Sequence, residues 1–427
     1  MMNLSNEKRL LLYCTQTGIS EAQLDPIKKL ITLQLNWEEV LESAFWHGIT
    51  PILYNSLKGL EESKFIPPEV MDQLKTDHHR NIGKNLHFYA ELSGILTAFR
   101  ENWIKVIVLK GAALAQTVYG NIALRPMSDI DLLIKKDDLS HVEKIMSDLG
   151  YLFEGNKHPE WYIENHFHFS YFHPGKDIIV EIHWHIGRTS HPSQIAITDP
   201  GIIEKWWERA RTVEISGMKT LVLCPDDLLF HLSLHFFKHR FISGGFKGPF
   251  TSRGALIQLC DISQVLKHYK NEFDWTRLRR EAEEYGITSL ISSTLYLLRE
   301  IMDFDYGIFN NAFTVFKLQN VEKELIKLIQ KRIFIIEDSI PGSFIQSLVA
   351  DRFQNQVKSL FRAFFPHREV LSKRYSVPLS SRKLYFYYLI RPFNLLLKYR
   401  KLLWKSLISR EEVKEEVILN RWINSKN

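Results

Sequence analysis

Val106–Ile134 reads V-I-V-L-K-G-A-A-L-A-Q-T-V-Y-G-N-I-A-L-R-P-M-S-D-I-D-L-L-I and decides how the rest of the chain is understood. A β-branched run, Val106 to Leu109, leads into Lys110-Gly111. Ala112 to Val118 suits a helix, and a second apolar run surrounds Asp129-Ile130-Asp131. Side chains alternate along a strand, so Asp129 and Asp131 share one face while Ile130 and Leu132 take the other. Two carboxylates held this close raise each other's pKa unless a cation lies between them. The pair reads either as an Asp pair solvating a turn or as a divalent-metal site. Magnesium suits the second reading, being a hard ion that takes a few carboxylates plus substrate phosphate oxygens.

The bulk properties narrow the class. With 427 residues, 45% hydrophobic and 24% charged, the chain has room for two or three domains and a sizeable core. Cys14, Cys224 and Cys260 are odd in number and lack C-x-x-C spacing, which fits reduced thiols. The start, Met1 to Leu12, does not resemble a signal peptide, and no apolar run reaches the ~18 residues of a membrane span. A cytoplasmic protein is expected. The net charge of +6 is uneven: residues 376–427 hold 11 basic and 4 acidic residues, which leaves 44 basic and 45 acidic over the other 375. The body is therefore not a basic platform for nucleic acid.

Residues 1–80 carry helical periodicity through Leu10, Leu11, Ile27, Leu30 and Leu33, with Asp25-Pro26 as a break or a helix start. Trp37–Thr50 aligns without gaps to Trp275–Thr288, sharing Trp, Ala, Gly, Ile and Thr at the same offsets. Each copy reads as a helix closed by a Gly at C′, with Thr50 or Thr288 capping the next helix. The alternative is chance likeness of two amphipathic helices. A long helix is expected from about His79 to Asn102, with Leu86, Tyr89, Leu92, Ile95, Leu96 and Phe99 on one stripe. Another is expected from Lys136 to Leu149, ended by Gly150.

A hairpin follows: residues 165–173, a turn at Pro174-Gly175-Lys176-Asp177, and residues 178–186. Alternation places Glu181, His183 and His185 on one face, adding a third acid. A four-residue turn sets Ser170 opposite Glu181, His168 opposite His183 and His166 opposite His185. These histidines read as structural or substrate-contacting, with zinc ligation as the alternative.

Gly201 to about Phe364 is expected to be mainly helical, with Pro225-Asp226-Asp227 opening a helix that carries His231, His235 and His239 at i, i+4, i+8. No Glu adjoins the first of these as in a zinc-protease motif, so His235 is read as reaching into a cleft rather than holding metal. Phe241–Gly254 is Gly-rich, either an ordinary loop or one covering the site. Asp261 stands among apolar residues, facing either a ligand or a partly solvated helix side. Arg382–Arg410 has eight basic residues and no acid, interleaved with aromatics. Three readings remain open for this tail: packing onto the body, peripheral contact with an anionic membrane, and contact with RNA phosphates.

The ordered set L-K-G-A-A-L at 109–114, Y-G at 119–120, R-P-M-S-D-I-D-L-L-I at 125–134, V-E-I-H-W-H at 180–185, P-D-D-L-L at 225–229 with His235, and Y-L-I-R-P-F at 388–393 resembles nucleotidyltransferase family 5. That family of bacterial proteins lies within the DNA polymerase beta-like nucleotidyltransferase superfamily. The resemblance implies an α+β fold in which a small mixed or antiparallel sheet of four or five strands is packed with helices. Its regions would be 1–80 (helical), 81–215 (catalytic core), 216–375 (helical) and 376–427 (basic aromatic tail). It also implies metal-dependent transfer of a nucleoside monophosphate from a nucleoside triphosphate, ATP or another, to an acceptor hydroxyl. Asp129, Asp131 and Glu181 would hold two Mg²⁺ ions, with Glu181 also activating the hydroxyl. Lys110, Gly111, Arg125, His183 and His235 would contact the nucleotide, Gly111 by admitting the triphosphate close to the backbone. The superfamily's usual Gly-Ser is replaced here by Gly111-Ala112, so Lys110 or Arg125 is expected to supply the missing phosphate contact. A small-molecule or peptide acceptor is favoured over RNA. A nucleotide-binding scaffold without turnover is the alternative.

Overall fold

The structure is a computed structural model that describes residues 4–15, 21–155, 158–187, 201–237, 254–302, 306–318 and 323–334, positions 365, 368, 378 and 381, and 383–391. Four helices open the chain: α1 (Asn6–Cys14), α2 (Glu21–Ile31), α3 (Trp37–Trp46) and α4 (Thr50–Leu57). Pro26 lies inside α2 and marks neither a break nor a start. Next comes α5 (Pro68–Glu101), 34 residues long. It begins 11 residues before the expected His79 because Pro68 sits at the first helical position, where a missing N–H costs nothing. Phe88, Tyr89, Leu92, Ile95, Leu96 and Phe99 form its buried stripe, whereas Leu86 is 55% exposed. Six residues before Leu92, Leu86 falls roughly 120° around the helix from it.

The chain then alternates: β1 (Ile107–Val108), α6 (Lys110–Thr117), β2 (Ile130–Leu133), α7 (Leu139–Asp148), β3 (Leu152–Phe153), α8 (Pro159–Asn165), β4 (His168–His173) and β5 (Ile178–His183). After α9 (Gly201–Arg209) come β6 (Arg211–Ile215) and β7 (Met218–Val222). The strands form one mixed sheet in the order β3-β4-β5-β2-β1-β7-β6. Strand β2 is antiparallel to β1 and parallel to β5, and β1 is parallel to β7. One hydrophobic core is built on the sheet's centre, from the α5 stripe with Ile130, Leu132, Val180 and Ile182 among others.

Seven strands replace the four or five expected. The difference arises mainly at Gly201 onward, where a hairpin interrupts the expected helical run. Ser216 and Gly217 both have positive φ, 53° and 75°, and join Ile215 to Met218 as a two-residue turn whose handedness matches strand twist. The Ser-Gly signal is present in the sequence, but Arg211, Glu214 and Lys219 mask the strand character of these short segments.

The remaining helices are α10 (Pro225–Phe237), α11 (Ala255–His268), α12 (Trp275–Glu284), α13 (Thr288–Met302), α14 (Tyr306–Val315) and α15 (Lys323–Ile333). The repeated hairpin is real down to its hydrogen bonds. Asn36 and Asp274 cap α3 and α12 by accepting from the backbone N–H of Glu39 and Arg277. Gly48 and Gly286 turn left-handed at φ 69° and 67°, and Ile49 and Ile287 donate back to Ala44 and Ala282 at 2.9 and 2.8 Å. Thr50 and Thr288 are first helical residues rather than caps.

Helix α10 is buried on nearly every side, which its paired acids permit. The Asp227 carboxylate accepts two bonds from Arg209 of α9, at 2.6 and 3.0 Å, and Arg209 also binds Glu281 of α12. Asp226 is paired with Arg277. All three cysteines are buried free thiols. No helix among the described residues is long and apolar enough to cross a membrane.

The chain divides into two units, Met1–Phe237 with Ser252–Ile335, and Lys238–Thr251 with Ile336–Asn427. In the second unit, residues 383–391 are helical, Leu384 and Arg391 are buried, and Tyr385, Phe386 and Leu389 are exposed. His239, the glycine-rich residues up to 253 and the tail beyond Arg391 lie outside the described residues.

Candidate active site

The three acids converge because two strands run side by side in register. Asp131 of β2 is the Cα partner of Glu181 of β5, and Asp129 immediately precedes β2. Ligand oxygens of Asp129, Asp131 and Glu181 all lie within 4.8 Å of one another. The β4–β5 hairpin has the expected register, with Ser170 opposite Glu181 and His168 opposite His183. The pairing stops there. His166 terminates α8 instead of extending β4, so it does not meet His185 across a ladder.

Lys110 completes the cluster. Its Nζ donates to Asp131 Oδ1 at 2.5 Å, and only 12% of its side chain is exposed. The residue opens α6 at φ +46°, a left-handed conformation that costs a non-glycine residue on the order of 1 kcal/mol. His183 Nε2 lies 2.9 Å from Asp131 Oδ1 and 3.2 Å from Glu181 Oε2. His168 Nε2 is 3.7 Å from Glu181 Oε1.

These contacts set the charges. Burial, followed by the neighbouring Asp131, pushes the Asp129 carboxyl up to about 6. Burial acts the same way on Asp131, but Lys110 and His183 outweigh it and hold this acid below the ordinary carboxylate range. Glu181 is likewise held far below that range, with His183 and Lys110 overcoming burial. Lys110 is raised despite burial because all three acids surround it. His183 is raised too, its bonds to Asp131 and Glu181 opposing burial. Three carboxylates face Lys110 and the imidazole of His183, and their donors are hard oxygens. This donor set fits a magnesium-class ion.

Arg125 and Gly111 meet each other rather than the acids. The Arg125 guanidinium donates to both carboxylate oxygens of Asp261, at 2.8 and 3.2 Å, and to the Pro126 carbonyl at 2.6 Å. A Cβ on Gly111 would stand 2.4 Å from Arg125 Nη1. Gly111 thus makes room for this guanidinium. Asp261 is 1% exposed and also accepts from the Tyr119 hydroxyl, so it does not lie on a solvated helix side. His235 lies on α10, its ring 6.3 Å from that of His231, and belongs to neither group of metal-ligating side chains among the described residues.

Three polar groups of α5 brace α6 and the segment leading to Asp129; Asn81 and Asn85 escape the sequence reading, and Tyr89 enters it only as part of the apolar stripe. Asn81 Nδ2 donates to the Ala123 carbonyl, Asn85 Nδ2 to those of Ile122 and Arg125, and the Tyr89 hydroxyl to that of Ala112. They follow one another at i, i+4, i+8 on α5, and both asparagines are buried. Polar residues at this spacing in line with an apolar stripe were the available signal.

Residues 34–303 match the family described as uncharacterised nucleotidyltransferase, and the chain belongs to that family. The mixed sheet and its helices agree with a nucleotidyltransferase α+β fold, and the protein is a nucleotidyltransferase. No curated protein and no solved structure matches the chain.

Proposed function

We propose that this chain moves a nucleoside monophosphate from a nucleoside triphosphate to a hydroxyl of a small-molecule or peptide acceptor, releasing pyrophosphate. The supporting observation is the convergence of Asp129, Asp131 and Glu181, with Asp131 and Glu181 as neighbours on one rung of the sheet. These residues would hold magnesium, which when bound neutralises the triphosphate and polarises the reacting oxygens. The acceptor oxygen attacks the α-phosphorus as the bond to the bridging oxygen breaks, and pyrophosphate leaves with that electron pair. Glu181 is held in its charged form by His183 and Lys110, so it stands as a carboxylate able to ligate a cation and is a weak proton acceptor. Positioning and charge neutralisation therefore carry the rate, and the hydroxyl proton passes to solvent. Lys110 keeps Asp131 oriented, and Arg125 with Asp261 braces the segment leading into Asp129.

The test incubates the full chain with each α-labelled nucleoside triphosphate, Mg²⁺ and cell extract, following pyrophosphate release and transfer of label. Asp129→Asn and Glu181→Gln should each abolish release while circular dichroism stays that of the wild type. Full activity in both variants would sink the proposal.

A further inference from the structure

Beside the three-carboxylate cluster lies a second group of potential ligands with a different donor chemistry. His168 of β4 and His183 of β5 are directly opposite across the hairpin, and each Nε2 lies near one oxygen of Glu181; His183 Nε2 also meets Asp131 Oδ1 at 2.9 Å, a contact that a bound ion would replace. One ligand atom from each residue lies within 4.8 Å of the others; His183 approaches Glu181 Oε2 at 3.2 Å and His168 approaches Oε1 at 3.7 Å. A tetrahedral ion with bonds of about 2.0–2.2 Å spaces its donor atoms roughly 3.3–3.6 Å apart, so modest side-chain adjustment closes the site. Glu181 and His168 remain 24% and 18% exposed, which leaves a solvent side for a fourth ligand.

Two imidazoles and one carboxylate make a poor magnesium site, because that ion takes oxygen ligands. They make a good site for a borderline ion of the zinc class. The sheet also fixes the donors: His168 and His183 form one cross-strand pair, and Glu181 sits two residues along β5 on the same face. We infer that His168, Glu181 and His183 form a second metal site, selective for a zinc-class divalent ion over magnesium and sharing Glu181 with the carboxylate cluster.

Zinc binding to the full chain is measured by competition with a chromophoric chelator, and metal content after dialysis by mass spectrometry. The wild type should hold one Zn²⁺ that excess Mg²⁺ does not displace. His168→Ala should weaken zinc at least about tenfold, the scale on which even an outer-shell partner alters affinity. His168→Cys, which restores a zinc ligand, should recover it. Asp129→Asn should keep zinc while losing magnesium-dependent nucleotide binding, so that failure of the transferase reading and failure of the zinc site give different results. Equal zinc affinity in the wild type and His168→Ala, or complete displacement of zinc by Mg²⁺, overturns the inference.

Discussion

Asp129 is the acid of the cluster whose proton is hardest to remove. Its carboxyl rises from an ordinary 3.8 to about 6, by burial first and by Asp131 second. A folded value above the unfolded one means that the metal-free fold gains from protonating Asp129. That contribution is fully present below about pH 4 and is lost as pH rises through about 6. A divalent ion on the carboxylates offsets the loss. The increase in Tm on adding Mg²⁺ should therefore grow between about pH 5 and pH 7, and Asp129→Asn should remove the growth. Thermal unfolding followed by circular dichroism measures both. An increase that stays flat across that window rules the assignment out.

At the scale of elements, the two copies of the helix–glycine–helix unit give a direct test of what their glycines contribute. Gly48→Ala and Gly286→Ala should each destabilise the chain by about 1 kcal/mol, since a side chain in the left-handed region clashes with its own backbone. Gly59→Ala is the control, because nothing lies within 4 Å of the added Cβ and the backbone there is not left-handed. Urea unfolding midpoints decide, and three equal values would refute the assignment. These units were legible in the sequence because the C′ glycine is a local signal, although their caps are Asn36 and Asp274 and not the expected threonines. So was the hairpin register, which the length of the Pro174–Asp177 turn fixes. The β6–β7 hairpin was not, because its strands are short and carry charges that face water at the sheet's edge. The partner of Asp261 was hidden for a different cause: Arg125 stands 136 residues away, and no local pattern links them.

For the molecule as a whole, the core extends beyond the segment that carries the acids. Strand β7 lies past residue 215 yet pairs with β1 beside the site, and Asp261 neutralises the buried Arg125 from α11. Residues 81–215 alone would leave β1 as a bare sheet edge, β6 without its partner β7 and an uncompensated buried charge, the last costing several kcal/mol. That fragment should show no cooperative thermal transition, whereas the full chain should. A sharp transition in the fragment would contradict this reading. The pairing of Asp131 with Glu181 bears on how the protein can change over time. Their separation is set by main-chain hydrogen bonds between β2 and β5, whereas α7, β3, α8 and β4 fill the connection between those strands. Substitutions, and even changes of length, in α7, β3 and α8 can accumulate without moving the two acids apart, because none of these three pairs with β2 or β5. The reactive centre can stay constant while the segments around it diversify.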